Sequence, residues 1–162
     1  MNKQDWFSLA ACIALCELAG LVGSMFTFPA ITGWYAALAK PSFTPPAWVF
    51  GPAWTILYAL MGAALYLVWR EKERKTEKSS EVKPALFVFG LQLALNVLWS
   101  VVFFGLRAPG AALFEIILLW ISIIASIAFF LRVSRNAALL LVPYFFWVTF
   151  AATLNFYVWL LN

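Results

Sequence analysis

Trp54, Trp99, Trp120 and Trp147, with Asn96, Ser100 and Asn155, carry most of the chemistry this sequence offers. Asn96 and Ser100 are spaced i,i+4, so on a helix they share a face, with Trp99 on the face beside it. An asparagine amide donates and accepts hydrogen bonds, which recognition of a carbonyl or a ring nitrogen requires; helix–helix hydrogen bonding is the alternative use of the same groups. Indole rings stack on flat aromatic molecules at little cost in side-chain freedom. The chain contains no histidine. That removes the commonest general base, the usual haem axial ligand and most zinc sites. Cys12 and Cys16 are also i,i+4, a spacing that rarely reaches disulfide geometry, and two thiols alone hold a metal poorly. They read as small packing residues. No nucleophile–base pair, phosphate-cradling loop or metal-ligand cluster is apparent, so hydrolytic and acid/base chemistry are disfavoured. Binding, sensing or passive translocation remain.

The elements that must position these residues are set by composition. The chain has 162 residues, 65% hydrophobic and 11% charged, with mean hydropathy +0.91, too apolar for a soluble domain of this size. Its apolar runs suit the ~20 residues that a membrane-spanning helix needs. Five are expected, at about 6–28, 46–69, 84–106, 110–131 and 137–160, forming an all-α membrane protein with one five-helix bundle over residues 1–162. The first run reads as a span rather than a cleaved signal peptide, because its apolar stretch exceeds the usual length of such a core.

Within these spans Trp54 and Trp99 fall roughly 10–12 Å below the outer boundary at ~1.5 Å per residue, and Trp147 lies nearer the midplane. Trp6, Trp34, Trp48, Trp69 and Trp159 lie near span ends, where the aromatic belt of a membrane protein is expected. The deeper four, Trp120 among them, are expected to face the bundle interior, since an indole N–H needs an acceptor in hydrocarbon. Glu17 and Glu115 are the only acids inside the spans, a position that by default suggests function.

The segment Trp34–Tyr58, WYAALAKPSFTPPAWVFGPAWTILY, joins the first two spans and holds three tryptophans, two tyrosines, two phenylalanines and four prolines. Prolines stiffen the loop that presents those rings, which fits the lid or wall of an aromatic-binding pocket; a plain interfacial linker is the alternative. Thr44 is a candidate N-cap with Pro45 at the first helical position, and Pro52 is expected one to two turns inside the second span as a kink. Pro143 is expected to interrupt the fifth span in the same way. The first helix is expected to end near Pro29, and Pro109 with Gly110 to form a tight turn between antiparallel third and fourth spans. Gly90 and Ala94 offer a small-xxx-small face for dimerisation or internal packing.

Charge sets the expected topology. Lys3, the loop residues Arg70, Lys72, Arg74, Lys75, Lys78 and Lys83, and Arg132 and Arg135 lie on one side, against Lys40 and Arg107 on the other. The excess places the N-terminus in the cytoplasm and the C-terminus and aromatic loop outside. Interleaved Glu71, Glu73, Glu77 and Glu81 mark a solvated helix extension, with Glu71 and Lys75 spaced as an i,i+4 pair, rather than a nucleic-acid surface.

Three blocks, the Trp34–Tyr58 segment, LALNVLWSVVFFG at 93–105 and VPYFFWVTFAATLNFYVWLLN at 142–162, resemble the tryptophan-rich sensory protein/translocator protein family (TspO/MBR), also called peripheral-type benzodiazepine receptors. The resemblance covers most of the chain. It implies a five-helix, usually homodimeric protein that binds porphyrins such as protoporphyrin IX and haem as ligands, with no tightly bound cofactor, and binds isoquinoline carboxamides and benzodiazepines. It also implies a pocket within one bundle beneath the first loop, lined by Trp34, Tyr35, Trp54, Asn96, Trp99, Ser100, Trp147 and Ala151. Some members are associated with light- and oxygen-dependent porphyrin breakdown, for which Trp54 and Trp147 would be the oxidisable rings, and transport of amphipathic molecules is a further alternative. A prokaryotic cell membrane is the expected location. Phe43 stands where many members have tryptophan. The basic residue that follows the last aromatic segment in cholesterol-binding members is absent after Tyr157, which argues against cholesterol recognition.

Overall fold

A computed structural model describes residues 3–73 and 79–162. Arg74, Lys75, Glu77 and Lys78, and with them the Glu71–Lys75 pair, lie outside the described residues. Five helical spans are long and apolar enough to cross a membrane: Lys3–Ile31, Ala47–Lys72, Ser80–Gly105, Pro109–Val133 and Arg135–Leu161. Each lies within a few residues of its expected bounds. Helices suit this solvent because every backbone donor and acceptor is satisfied within its own segment.

The elements are α1 (Lys3–Ile31), the short α2 (Trp34–Ala37), a 3₁₀ turn (Ala47–Val49) leading into α3 (Phe50–Glu73), α4 (Ser79–Ser100) continued by a π-helical turn (Val101–Gly105), α5 (Pro109–Val133), α6 (Arg135–Leu140) and α7 (Val142–Leu161). α1 packs on α3 and α4, α4 on α5, α5 on α7, and α3 on α6, which closes the ring. Only 11% of the most apolar window of the first span is buried inside the protein. Its outer face, with Phe7, Leu18, Leu21, Met25 and Phe28, is exposed hydrocarbon that a bilayer covers.

α1 and α3 pack at Gly62 with no room for a side chain. A Cβ added there would meet the Ile13 backbone, with the Ile13 nitrogen at 2.8 Å and the Cys12 carbonyl oxygen at 2.9 Å. Gly20 is pressed in the same way by the Tyr58 ring. Without a hydrophobic drive between helices in lipid, such small residues allow the dense packing that holds helices together. Cys16 is fully buried in this core and Cys12 packs against it.

Two of the proline-based expectations are corrected. Pro46, not Thr44, precedes the second span; the Thr44 hydroxyl and N–H both bond the Pro41 carbonyl, at 2.8 and 3.0 Å, and so close a turn in the loop. Pro52 lies between one and two turns inside the span that starts at Ala47, as expected, just after the 3₁₀ turn gives way to α3 at Phe50. α1 ends at Ile31, two residues past Pro29, as expected. The turn between the third and fourth spans is formed by Leu106, Arg107 and Ala108, with Arg107 at φ 54°, and Pro109 and Gly110 already belong to α5. Pro143 does coincide with an interruption, as expected: α6 ends at Leu140, Leu141 separates the two segments, and α7 starts at Val142.

The candidate ligand site

Asn96, 4% exposed on α4, bridges three helices. Its Oδ1 accepts from the Tyr58 hydroxyl of α3 and its Nδ2 donates to the Tyr144 hydroxyl of α7 at 2.8 Å. Both tyrosine rings face Trp54: Tyr58 stacks on it at 5.5 Å and 29°, and Tyr144 meets it edge-on at 6.3 Å. Trp147 completes the group, 6.4 Å from Trp54 and nearly perpendicular to it at 86°. Ala151, one turn along α7, packs against the same core. Trp54 and Trp147 are each half-buried, and neither indole N–H has an acceptor among the described residues. The two indoles meet at right angles, and each keeps a donor that an acceptor on a ligand could take.

A second aromatic group lies above it. The π-helical turn closing α4, with the Leu106 N–H bonding the Val101 carbonyl at 2.8 Å, inserts an extra residue into the helix and turns Phe103 inward, to 3% exposure. Trp99 stacks on Phe103 at 5.0 Å, and Trp34 and Tyr35 of the loop meet it edge-on at 5.7 and 6.2 Å. The Trp99 N–H donates to Asn155 Oδ1 at 3.0 Å, and Asn155 Nδ2 donates to the Pro109 carbonyl at 2.8 Å. Asn155 thus ties α4, α5 and α7 together. Burial pushes the Tyr35 phenol above its ordinary pKa, so this layer carries no ionised hydroxyl near neutral pH.

The expected lining residues therefore divide into two layers. Trp54, Asn96, Trp147 and Ala151 meet in the lower one, and Trp34, Tyr35 and Trp99 in the upper. Ser100 belongs to neither, since its hydroxyl faces Gly23 of α1, where an added Cβ would lie 3.1 Å away. Trp120 departs from its expected inward orientation. It lies on a groove between α5 and α7 with Ile117, Thr153 and Phe156, and its N–H donates to the Thr149 hydroxyl at 2.8 Å.

Several participants carry no signal as sequence motifs. Tyr58 and Tyr144 are one helical turn from Trp54 and Trp147, and that spacing is the clue that could have found them. The loop is fastened by two residues with no such clue. The Lys40 ammonium donates to the Tyr35, Ala36 and Leu38 carbonyls at 2.7, 3.3 and 2.8 Å and lies 4.8 Å over the Tyr35 ring, capping α2. Asn162 exchanges two hydrogen bonds with the Ala39 backbone, each 3.0 Å, across 123 residues of sequence. Replacing Asn162 with alanine is expected to raise the amide exchange rate at Ala39 about fivefold, for the ~1 kcal/mol of one lost hydrogen bond. Hydrogen exchange by mass spectrometry checks it, and an unchanged rate would mean that the tether does not restrain the loop.

Polar groups below the site are unusually unsatisfied. Among the described residues, Gln92, one turn from Asn96 and 1% exposed, finds a partner for neither its amide oxygen nor its nitrogen, and both Glu115 oxygens and the Tyr66 hydroxyl also lack partners. Leucine at position 92 removes those groups at similar volume. It is expected to stabilise the folded protein by about 1–3 kcal/mol, read as a higher thermal midpoint in detergent. A lower midpoint would show that Gln92 makes bonds in solution that offset its burial. Among the described residues no group of three or more His, Cys, Asp or Glu side chains is placed to hold a metal.

With this geometry in hand, the similarities are specific. A model of the TspO/MBR family matches residues 12–160. The chain is 47% identical over 162 residues to the tryptophan-rich protein TspO of Chlorobaculum tepidum, covering 100% of this chain and 99% of that one. It is 45% identical over 143 residues to the translocator protein of Homo sapiens, covering 88% and 83%. It is 39% identical over 147 residues to the protein CrtK of Rhodobacter capsulatus, covering 91% and 88%.

Proposed function

This chain belongs to the TspO/MBR family, and from that premise we propose that it is a membrane receptor that binds porphyrins, protoporphyrin IX and haem among them, and benzodiazepine-type ligands. The observation that carries this reading is the corner formed by Trp54 and Trp147, half-buried and perpendicular at 6.4 Å, with both N–H groups unpaired beneath a tethered aromatic loop. A porphyrin is flat, aromatic and apolar at its ring and carries acceptors at its edge. Stacking holds the ring and the indole donors hold the acceptors. Trp34, Tyr35 and Trp99 supply the upper wall, and Asn96 keeps Tyr58 and Tyr144 fixed at the floor.

The protein acts as a sensor or scavenger in tetrapyrrole and stress regulation, set in a prokaryotic cell membrane with its N-terminus in the cytoplasm and its C-terminus outside. It works as a homodimer, for which Gly90 and Ala94, both exposed on α4, offer a close-packing face. Titration of the purified protein with protoporphyrin IX in darkness tests the reading. Saturable quenching of tryptophan fluorescence supports it, and quenching that grows without saturation overturns it. Repeating the titration under light, with product analysis, separates binding from degradation. A defined product formed with turnover would make the protein an enzyme, with Trp54 and Trp147 orienting the excited porphyrin. Vectorial flux in proteoliposomes would make it a transporter.

A further inference from the structure

An apolar groove of about 410 Å³ lies between α3 and α7, formed by Ala53, Ile56 and Leu60 on one side and Phe146, Trp147 and Phe150 on the other. Its origin is the broken fifth span. α6 packs against α3, but the chain turns at Leu141 and Pro143, and α7 leaves α3 to pack on α5. The groove lies within the second and fifth spans, at the depth of the bilayer. Its lips, Ile56 and Phe146, are 61% and 64% exposed.

Trp147 joins this groove to the interior. One side of its ring lines the groove, and the same ring meets Trp54 at 6.4 Å. Trp147 therefore contacts both the groove and Trp54. Trp147 is otherwise restrained by edge or tilted contacts with Phe50 and Phe150, each at 5.9 Å, and makes no hydrogen bond that would fix it. The route from the aqueous side is more strongly closed. There Lys40 and Asn162 tie the loop with hydrogen bonds, and Phe43 packs edge-on against Tyr157 at 5.4 Å.

We propose that this groove is the lateral entrance of the site, through which a planar aromatic ligand dissolved in the bilayer reaches the Trp54–Trp147 corner, with the Trp147 side chain as the moving partition. The inference rests on the ligand-binding reading above and adds a route to it. An entirely apolar wall discriminates against water-borne polar molecules and favours ligands that partition into lipid. The occupant is the ligand of the interior site, because the groove ends on a residue of that site.

The test is stopped-flow binding to the protein in nanodiscs, with protoporphyrin IX supplied in lipid vesicles. Ala53→Phe narrows the groove from within, and Ile56→Trp, at an exposed lip that tolerates bulk, serves if the first variant fails to fold. Both association and dissociation rates are expected to fall about tenfold with the dissociation constant unchanged. Asn162→Ala, which loosens the loop, is expected to leave both rates as they are. The proposal is overturned if wild type binds and neither groove variant slows it, if Asn162→Ala alone speeds it, or if the groove variants change the equilibrium constant at unchanged association rate. Absence of saturable binding by wild type would instead overturn the functional reading itself.

Discussion

Replacing Trp54 and Trp147 together with phenylalanine is expected to weaken protoporphyrin IX binding about 30- to 100-fold. Each substitution removes part of a ring face and one free N–H, a loss of roughly 1–1.5 kcal/mol per position, and 1.4 kcal/mol is a factor of ten in affinity. The rings touch at 6.4 Å, so the two effects will not add: either single variant also loosens its neighbour. Because the substitutions remove two of the fluorophores, the titration is read from the porphyrin absorption band. The helices themselves should hold, since Asn96 still bridges Tyr58 and Tyr144. An unchanged affinity in a folded double variant would place the ligand elsewhere.

Gly62→Leu carries the largest expected effect on the fold. The added side chain would point into the Cys12–Ile13 backbone of α1, and backbone cannot move aside as a flexible side chain can. Overpacking of this kind costs about 3 kcal/mol or more, enough to part α1 from α3. The expected result is loss of a monodisperse folded protein in detergent. Gly51→Leu is the control, because nothing lies within 4 Å of a Cβ at that position. It should fold and melt as wild type does. Equal damage from both substitutions would mean that helix propensity, not the α1–α3 contact, limits stability.

Much of the architecture was legible in the sequence because a bilayer simplifies the reading. A helix must stay apolar across the hydrocarbon, and five such runs fix five spans to within a few residues. Proline was harder to place. Thr44 and Pro45 look like a cap and a first helical position, whereas the turn closed by Thr44 on Pro41 moves the true start to Ala47. Depth was readable for tryptophan but direction was not. Trp54, Trp99 and Trp147 turn inward toward aromatic partners, whereas Trp120 finds its acceptor in Thr149 on the neighbouring helix and stays at a lateral groove. Small residues announced close packing without naming its partner. Gly20 meets the Tyr58 side chain, while the backbone contact at Gly62 emerges only once α1 and α3 are side by side.

The site was legible as residue types and incomplete as geometry. Asn96 was expected to contact ligand or helix, and its amide is engaged by two tyrosines whose alignment depends on three helices converging. The tether between Ala39 and Asn162 spans 123 residues, and no local pattern encodes a contact of that range. The π-helical turn that aims Phe103 inward also has no clear sequence signature, since Val101–Gly105 reads as ordinary apolar helix.

The most direct measurement is an experimental structure of the protein with protoporphyrin IX bound. The ring should lie within contact of both Trp54 and Trp147, above the Tyr58–Asn96–Tyr144 floor and beneath the Trp34–Tyr35 loop. A ring seated instead on the outer groove beside Trp120, with the Trp54–Trp147 corner unchanged, would contradict the account.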